Sequence, residues 1–126
     1  MNKVVLLGNL VKDPELRIID NGERCYTKVV IAIDRNFRTL SGEKEADFIP
    51  VIFWGKKAEI LCKYMTKGRA ISVSGRLRTC SYEDKDGNKK YKIEVQAEEF
   101  RFIGDKKEKG ALSDWINQFN LIKAPF

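Results

Sequence analysis

Seven consecutive residues, FIPVIFW at 48–54, put apolar side chains on both faces of whatever strand they form. Successive side chains of an extended chain point to opposite sides, so Phe48, Pro50, Ile52 and Trp54 share one face and Ile49, Val51 and Phe53 the other. A small single-layer protein has one interior to offer each strand. This strand is therefore either sandwiched on both sides or keeps one face for something that is not part of the chain.

At 126 residues the chain suits one domain. A content of 43% hydrophobic and 33% charged residues fits a globular protein. No apolar run approaches the roughly 20 residues of a membrane span. The opening MNKVVLLGNL is broken by Gly8 and Asn9 too soon for a secretory signal, so a cytoplasmic setting is expected. Cys25, Cys62 and Cys80 lie far apart, with no CxxC pair and no even set, and read as reduced structural thiols. Histidine is absent, which removes His-centred catalysis and the commonest zinc ligand; no metal and no cofactor are expected. Lys and Arg number 24 against 18 Asp and Glu, a net charge of +6. That balance favours a polyanionic partner, although a solvated surface also carries scattered lysines.

Turn signals cut the first hundred residues into extended runs: NKVVLLGNL, RCYTKVVIAID after Asn21-Gly22, and ADFIPVIFW after Ser41-Gly42. In KKAEILCKYMTKG, by contrast, Ala58, Leu61, Cys62 and Met65 recur at helical spacing and Gly68 suits a helix end. Two more runs, RAISVSGRLRTC and KKYKIEVQAEEFRFI, flank the turn dipeptide Asp86-Gly87. Gly8 and Gly75 fall inside strand patterns, where glycine marks a bulge or a sharp bend. The prediction is an all-β, five-stranded OB-fold barrel over residues 1–104, with one α-helix between the third and fourth strands. Residues 105–126 follow as a charged linker, DKKEKG, and an amphipathic segment in which Ser113 caps a short helix bearing Trp115, Ile116, Phe119 and Ile122 on one face. Those residues are expected to pack on this barrel or to bind a sister subunit or partner.

In RAISVSGRLRTCSY, Ile71, Val73 and Leu77 share the parity expected to face the interior, while Arg76, Arg78 and Tyr82 share the other. Set beside the third strand, Arg76 and Arg78 would lie near Phe48 and Trp54. Phe37 stands between Arg35 and Arg38 in what reads as a polar surface loop, RNFRTLSGEKEAD, a poor place for a core residue. Rings interleaved with guanidinium groups suit single-stranded nucleic acid, whose bases stack and whose phosphates pair with cations. The same aromatics could instead belong to the core or to a subunit interface.

The segments NKVVLLGNLVKDPELR, GEKEADF, WGKKAEIL and YMTKG, and GRLRT followed by Y and DGNKKYKIEVQAEEF, occur in an order that resembles the bacterial single-stranded DNA-binding proteins, from residue 2 to about 104. The resemblance implies an OB barrel, a homotetramer, and sequence-independent binding and protection of single-stranded DNA in replication, recombination and repair, in the bacterial cytoplasm at the nucleoid. It also implies stacking roles for Phe37, Phe48, Trp54 and Tyr82, and phosphate contacts at Lys3, Arg17, Lys56, Lys67 and Arg78. Family members end in an acidic tip closed by Pro-Phe that recruits replication and repair proteins. Here Pro125-Phe126 follows LIKA, with no acidic cluster, a departure from the tip through which the family recruits.

Two other readings stay open. A metal-dependent nuclease would draw on Asp34, Glu43, Glu45 and Asp47, which qualify by type but show no repeated ligand spacing. A protein-binding module would use the same aromatic face without nucleic acid.

Overall fold

Period-two alternation is visible along β3 (Arg24–Arg38). Thr27, Val29 and Ile31 are buried, while Lys28 between them is exposed. A β-branched run of this kind fits a pleated surface with one face on a core. The computed structural model describes residues 1–38, 42 and 44–104, with no account of the side chains at 36–38 and 44. Its other elements are β1 (Val4–Leu10), β2 (Arg17–Ile19), β4 (Lys44–Trp54), α1 (Lys56–Tyr64), β5 (Ala70–Glu83) and β6 (Lys89–Ile103). The expected C-terminal helix with Trp115, Ile116, Phe119 and Ile122, and Pro125-Phe126 after it, lie outside the described residues.

The strands follow the order β1-β5-β6-β4-β3-β2, and a further pairing of β1 with β3 closes them into a barrel. Five long strands and one intervening helix make the predicted OB-fold, with β2 added as a short edge strand. The closing seams are brief. β1 meets β3 at Asn9↔Ala32 and Leu10↔Ile31, and β4 meets β6 in parallel at Val51↔Val95 and Ile52↔Gln96.

Both interior glycines sit where backbones crowd. A Cβ on Gly75 would collide with the carbonyl of Gln96, at the register shift where Ser74 opposes Glu99 and Gly75 opposes Ala97. A Cβ on Gly8 would collide with the carbonyl of Ala32, where β1 turns from β5 toward β3. Only glycine allows these approaches without moving a strand.

Leu10, Ile31, Val51, Phe53, Leu61, Ile71 and Val73 are fully buried inside the barrel. Each contributes about 1.5–3 kcal/mol by leaving water. Phe53 meets Phe100 edge to face, with ring centres 5.3 Å apart. Helix α1 closes one end of the barrel with Ala58 and Leu61, and Met65 just beyond it is also buried. Gly68, at φ 90°, then turns the chain, and its N–H donates to the Leu10 carbonyl at 2.7 Å.

Three expectations change. The segment read as a loop around Phe37 is instead strand, because β3 continues to Arg38 and β4 begins at Lys44. β5 does not lie beside β4, since β6 runs between them. Leu77 is 46% exposed rather than interior. β6 last pairs with β4 at Val95, opposite Leu77; beyond that rung β5 and β6 leave the barrel as a two-stranded ribbon, and Leu77 at its foot finds no facing layer. At the ribbon's base the Asn2 amide donates to the Leu77 carbonyl at 2.8 Å and accepts from its N–H at 2.9 Å, standing in for one more peptide of β1.

Candidate functional site

Registers rather than sequence proximity assemble the outer wall of the barrel. Lys28 on β3 opposes Ile52 on β4, Ile52 aligns with Gln96 on β6, and Gln96 opposes Arg76 on β5. Directly opposed residues share a face, so these four form a row across the wall. Below it Arg17, Tyr26 and Trp54 form a second row. Above Gln96 and Arg76, the pairs Glu94↔Arg78, Lys92↔Cys80 and Lys90↔Tyr82 climb the ribbon.

The second apolar face of β4 is thus an outer face, partly covered by its own chain. Phe48 packs against Val11 and Ala32. Trp54 is half-buried, with the Tyr26 ring centre 5.2 Å away and the Arg24 guanidinium carbon 5.7 Å from its own centre. Ile52 is buried although it points outward. Tyr82, at 45% exposure, is the most open of the described stacking candidates. It stands on the ribbon, away from the row of Tyr26 and Trp54.

Two grooves run along the wall. One, of about 660 Å³, is lined by Arg17, Tyr26, Lys28, Val30, Pro50 and Lys67, among others. The second, of about 470 Å³, lies between Ile18, Arg24, Cys25, Trp54 and Lys56. Arg17, Lys56 and Lys67 therefore border the open grooves that the aromatic row separates. Asp13 lines the first groove too, and its carboxylate accepts the Lys67 N–H at 2.7 Å.

The remaining basic candidates differ in how far they are already neutralised. Arg35 donates through Nε and Nη2 to Asp47 Oδ1 at 3.0 and 2.7 Å, and through Nη1 to Glu45 Oε2 at 2.6 Å. Lys3 lies 3.8 Å from Glu98, Arg17 3.4 Å from Glu15 and Lys56 4.0 Å from Glu59, all on exposed surface where such pairs are weak. Arg76 is exposed on the wall. For Phe37 and Arg38 only the strand position is described.

At the centre of the wall lies a buried acid. Glu94 is 2% exposed; its Oε2 is 3.4 Å from Lys28 Nζ and its Oε1 3.3 Å from Arg78 Nε. The Cys80 thiol donates to the same Oε1 at 3.2 Å. Desolvation pulls the Lys28 pKa down, but contact with Lys92 and the Glu94 carboxylate outweigh it, and the ammonium sits above its usual value. Lys92 is pushed the other way, first by its contact with Lys28, then by burial and by repulsion from that charge.

Tyr26, Arg24, Lys28, Lys92 and Glu94 were not among the residues singled out from sequence. The parity of RCYTKVVIAID carried the signal for Tyr26 and Lys28, which share the face opposite Thr27 and Val29. Among the described residues, no group of three or more His, Cys, Asp or Glu is placed to hold a metal ion.

A profile described as the Single-strand binding protein family matches residues 1–103. The chain is 49% identical over 121 residues to a protein of Clostridium tetani named Single-stranded DNA-binding protein, covering 94% of this chain and 81% of the relative. It is 46% identical over 108 residues to Single-stranded DNA-binding protein 1 of Clostridium acetobutylicum, covering 86% and 98%. With Single-stranded DNA-binding protein A of Bacillus subtilis it shares 42% identity over 120 residues, covering 95% and 69%.

Proposed function

This chain belongs to the single-strand binding protein family, and from that premise we propose that it binds and protects single-stranded DNA without reading its sequence, and carries out no catalysis. The observation that carries this reading is the Tyr26 and Trp54 pair set between two open grooves on a wall lined with cations. Bases have flat faces whatever their identity, and each stacked base contributes about 1–3 kcal/mol. Phosphates then follow the basic side chains.

In this reading Phe37, Phe48, Trp54 and Tyr82 stack bases, and Tyr26 joins them beside Trp54. Lys3, Arg17, Arg38, Lys56, Lys67, Arg76 and Arg78 contact phosphates, joined by Lys28. Arg35 contributes only by exchanging Asp47 and Glu45 for phosphate, which makes it the weakest of the set. The same two carboxylates are engaged by Arg35, an arrangement that suits a braced hairpin better than a nuclease centre.

The chain acts as a homotetramer in the bacterial cytoplasm, on the nucleoid, in replication, recombination and repair. Support for assembly comes from exposed apolar side chains: Val5 and Leu7 on β1, and Leu77, Tyr91 and Ile93 on one face of the ribbon. Trp115, Ile116, Phe119, Pro125 and Phe126 serve a sister subunit or a replication or repair partner. The test is a tryptophan-fluorescence titration with poly(dT) at two salt concentrations, with the mass of the oligomer measured alongside. Quenching that weakens with salt is expected; unquenched fluorescence with no shift of labelled oligonucleotide would refute the reading.

A further inference from the structure

Lys28 and Arg78 come from β3 and β5, which are separated on the wall by β4 and β6. Two cations on non-neighbouring strands have no reason of their own to converge, and like charge drives them apart. What joins them is Glu94 on β6, one carboxylate oxygen facing each. We propose that Glu94 is a positioning residue that makes a single seat for a backbone phosphate out of Lys28 and Arg78.

This rests on the single-stranded DNA reading above and adds to it a residue that itself touches no DNA. At 2% exposure Glu94 is out of reach of a ligand, covered on the wall by the side chains it holds. Its partners remain open, with the Lys28 and Arg78 side chains 39% and 35% exposed. Arg78 turns Nε to Glu94 and Nη2 to the Cys80 sulfur at 3.4 Å. One edge of the guanidinium is thereby fixed inward, while the side chain stays 35% exposed. Three charged groups sum to one net positive charge, and Lys92, in contact with Lys28 and opposite Cys80, adjoins the same spot. A phosphate needs donors held at a fixed spacing, and the buried anion sets that spacing.

A rival view makes Glu94 a drain on the wall's positive charge. The two differ in sign for Glu94→Gln, which keeps the shape and removes the charge. Loss of an anion from a basic wall strengthens DNA binding and steepens its salt dependence by charge counting alone. Loss of a positioning residue weakens it about tenfold and lowers the salt slope by about one ion.

The experiment measures labelled dT oligonucleotide binding by the full chain over a salt series, for wild type, Glu94→Gln, Lys28→Gln/Arg78→Gln and the combined triple variant. In the Lys28→Gln/Arg78→Gln background, Glu94→Gln should change affinity by less than about twofold, since a residue that acts through two others has nothing left to position. A general loss of fold would lower affinity equally in both backgrounds. Equal or tighter binding by Glu94→Gln, or an equal loss in both backgrounds, overturns the proposal. If Glu94→Gln does not fold, the surface pair decides: single losses at Lys28 and Arg78 that multiply as independent sites overturn a shared seat, and a double loss smaller than their product supports it. A wild-type chain that fails to bind at all would instead remove the function on which the seat depends.

Discussion

Replacing Trp54 with alanine separates binding from folding. The ring is half-buried, so its loss costs less stability than the roughly 3–5 kcal/mol of a fully buried aromatic. Its visible partners are Tyr26 at 5.2 Å, a tilted contact of about 0.5–1.5 kcal/mol, and Arg24 at 5.7 Å, a surface cation–π contact of about 0.5–1 kcal/mol. Their sum puts the folding cost near 1–2.5 kcal/mol. If a base stacks on the ring, binding falls by a further 1–3 kcal/mol or so, about 5- to 150-fold in affinity. Urea denaturation reads the first quantity and anisotropy of a labelled dT oligonucleotide the second, which avoids using the deleted fluorophore as the probe. Phe53→Ala, on the opposite face of the same strand and fully buried, is the contrast: stability falls by about 3–5 kcal/mol. Wild-type affinity in a folded Trp54→Ala chain would refute the stacking role. Collapse of that variant to the level of Phe53→Ala would show the ring to be core.

Gly75→Ala should destabilise the fold by about 1–3 kcal/mol, because the new methyl meets the Gln96 backbone and a strand must move; an unchanged denaturation midpoint would contradict the close approach. Ile93→Glu places a charge on the apolar face of the ribbon and should reduce the mass seen by light scattering while leaving the protomer folded; an unchanged mass would separate that face from assembly. Affinity for DNA should fall as pH rises toward 10.5, the ordinary value for lysine, through the lowered pKa of Lys92, which a nearby phosphate would hold protonated. Lys92→Met should flatten that profile, and an unaltered profile would assign the titration elsewhere. Through Lys92, folding responds with the opposite sign. A base whose folded pKa is lowered weakens the native state at neutral pH and is relieved as pH climbs, whereas the raised Lys28 contributes below 10.5 and is lost above its own folded value.

The strands and the helix were legible because their signals are local. Val29, Ile31, Val51 and Phe53 alternate, Ala58 and Leu61 recur at helical spacing, and glycines stand at the bends. Parity also named the correct outer face for Phe48, Trp54 and Arg78. Strand order was hidden, since nothing in ADFIPVIFW records that its second neighbour is β6 rather than β5. Leu77 misled for a related reason: parity assigns a side but not whether another layer lies opposite at that height. The burial of Glu94 was out of reach altogether. An acid in YKIEVQA reads as solvated, and only the convergence of Lys28, Arg78 and Cys80 from two other strands allows it to be enclosed.

The brevity of the two seams has a mechanical consequence. With β1 touching β3 through Asn9 and Leu10, and β4 touching β6 through Val51 and Ile52, the barrel is two stiff leaves stitched at their margins. One leaf carries Tyr26 and Trp54, the other Arg76 and Arg78. The spacing between rings and cations is therefore kept less by those short ladders than by the shared filling between the leaves, Ile31, Val51 and Phe53 from one against Ile71, Val73 and Val95 from the other.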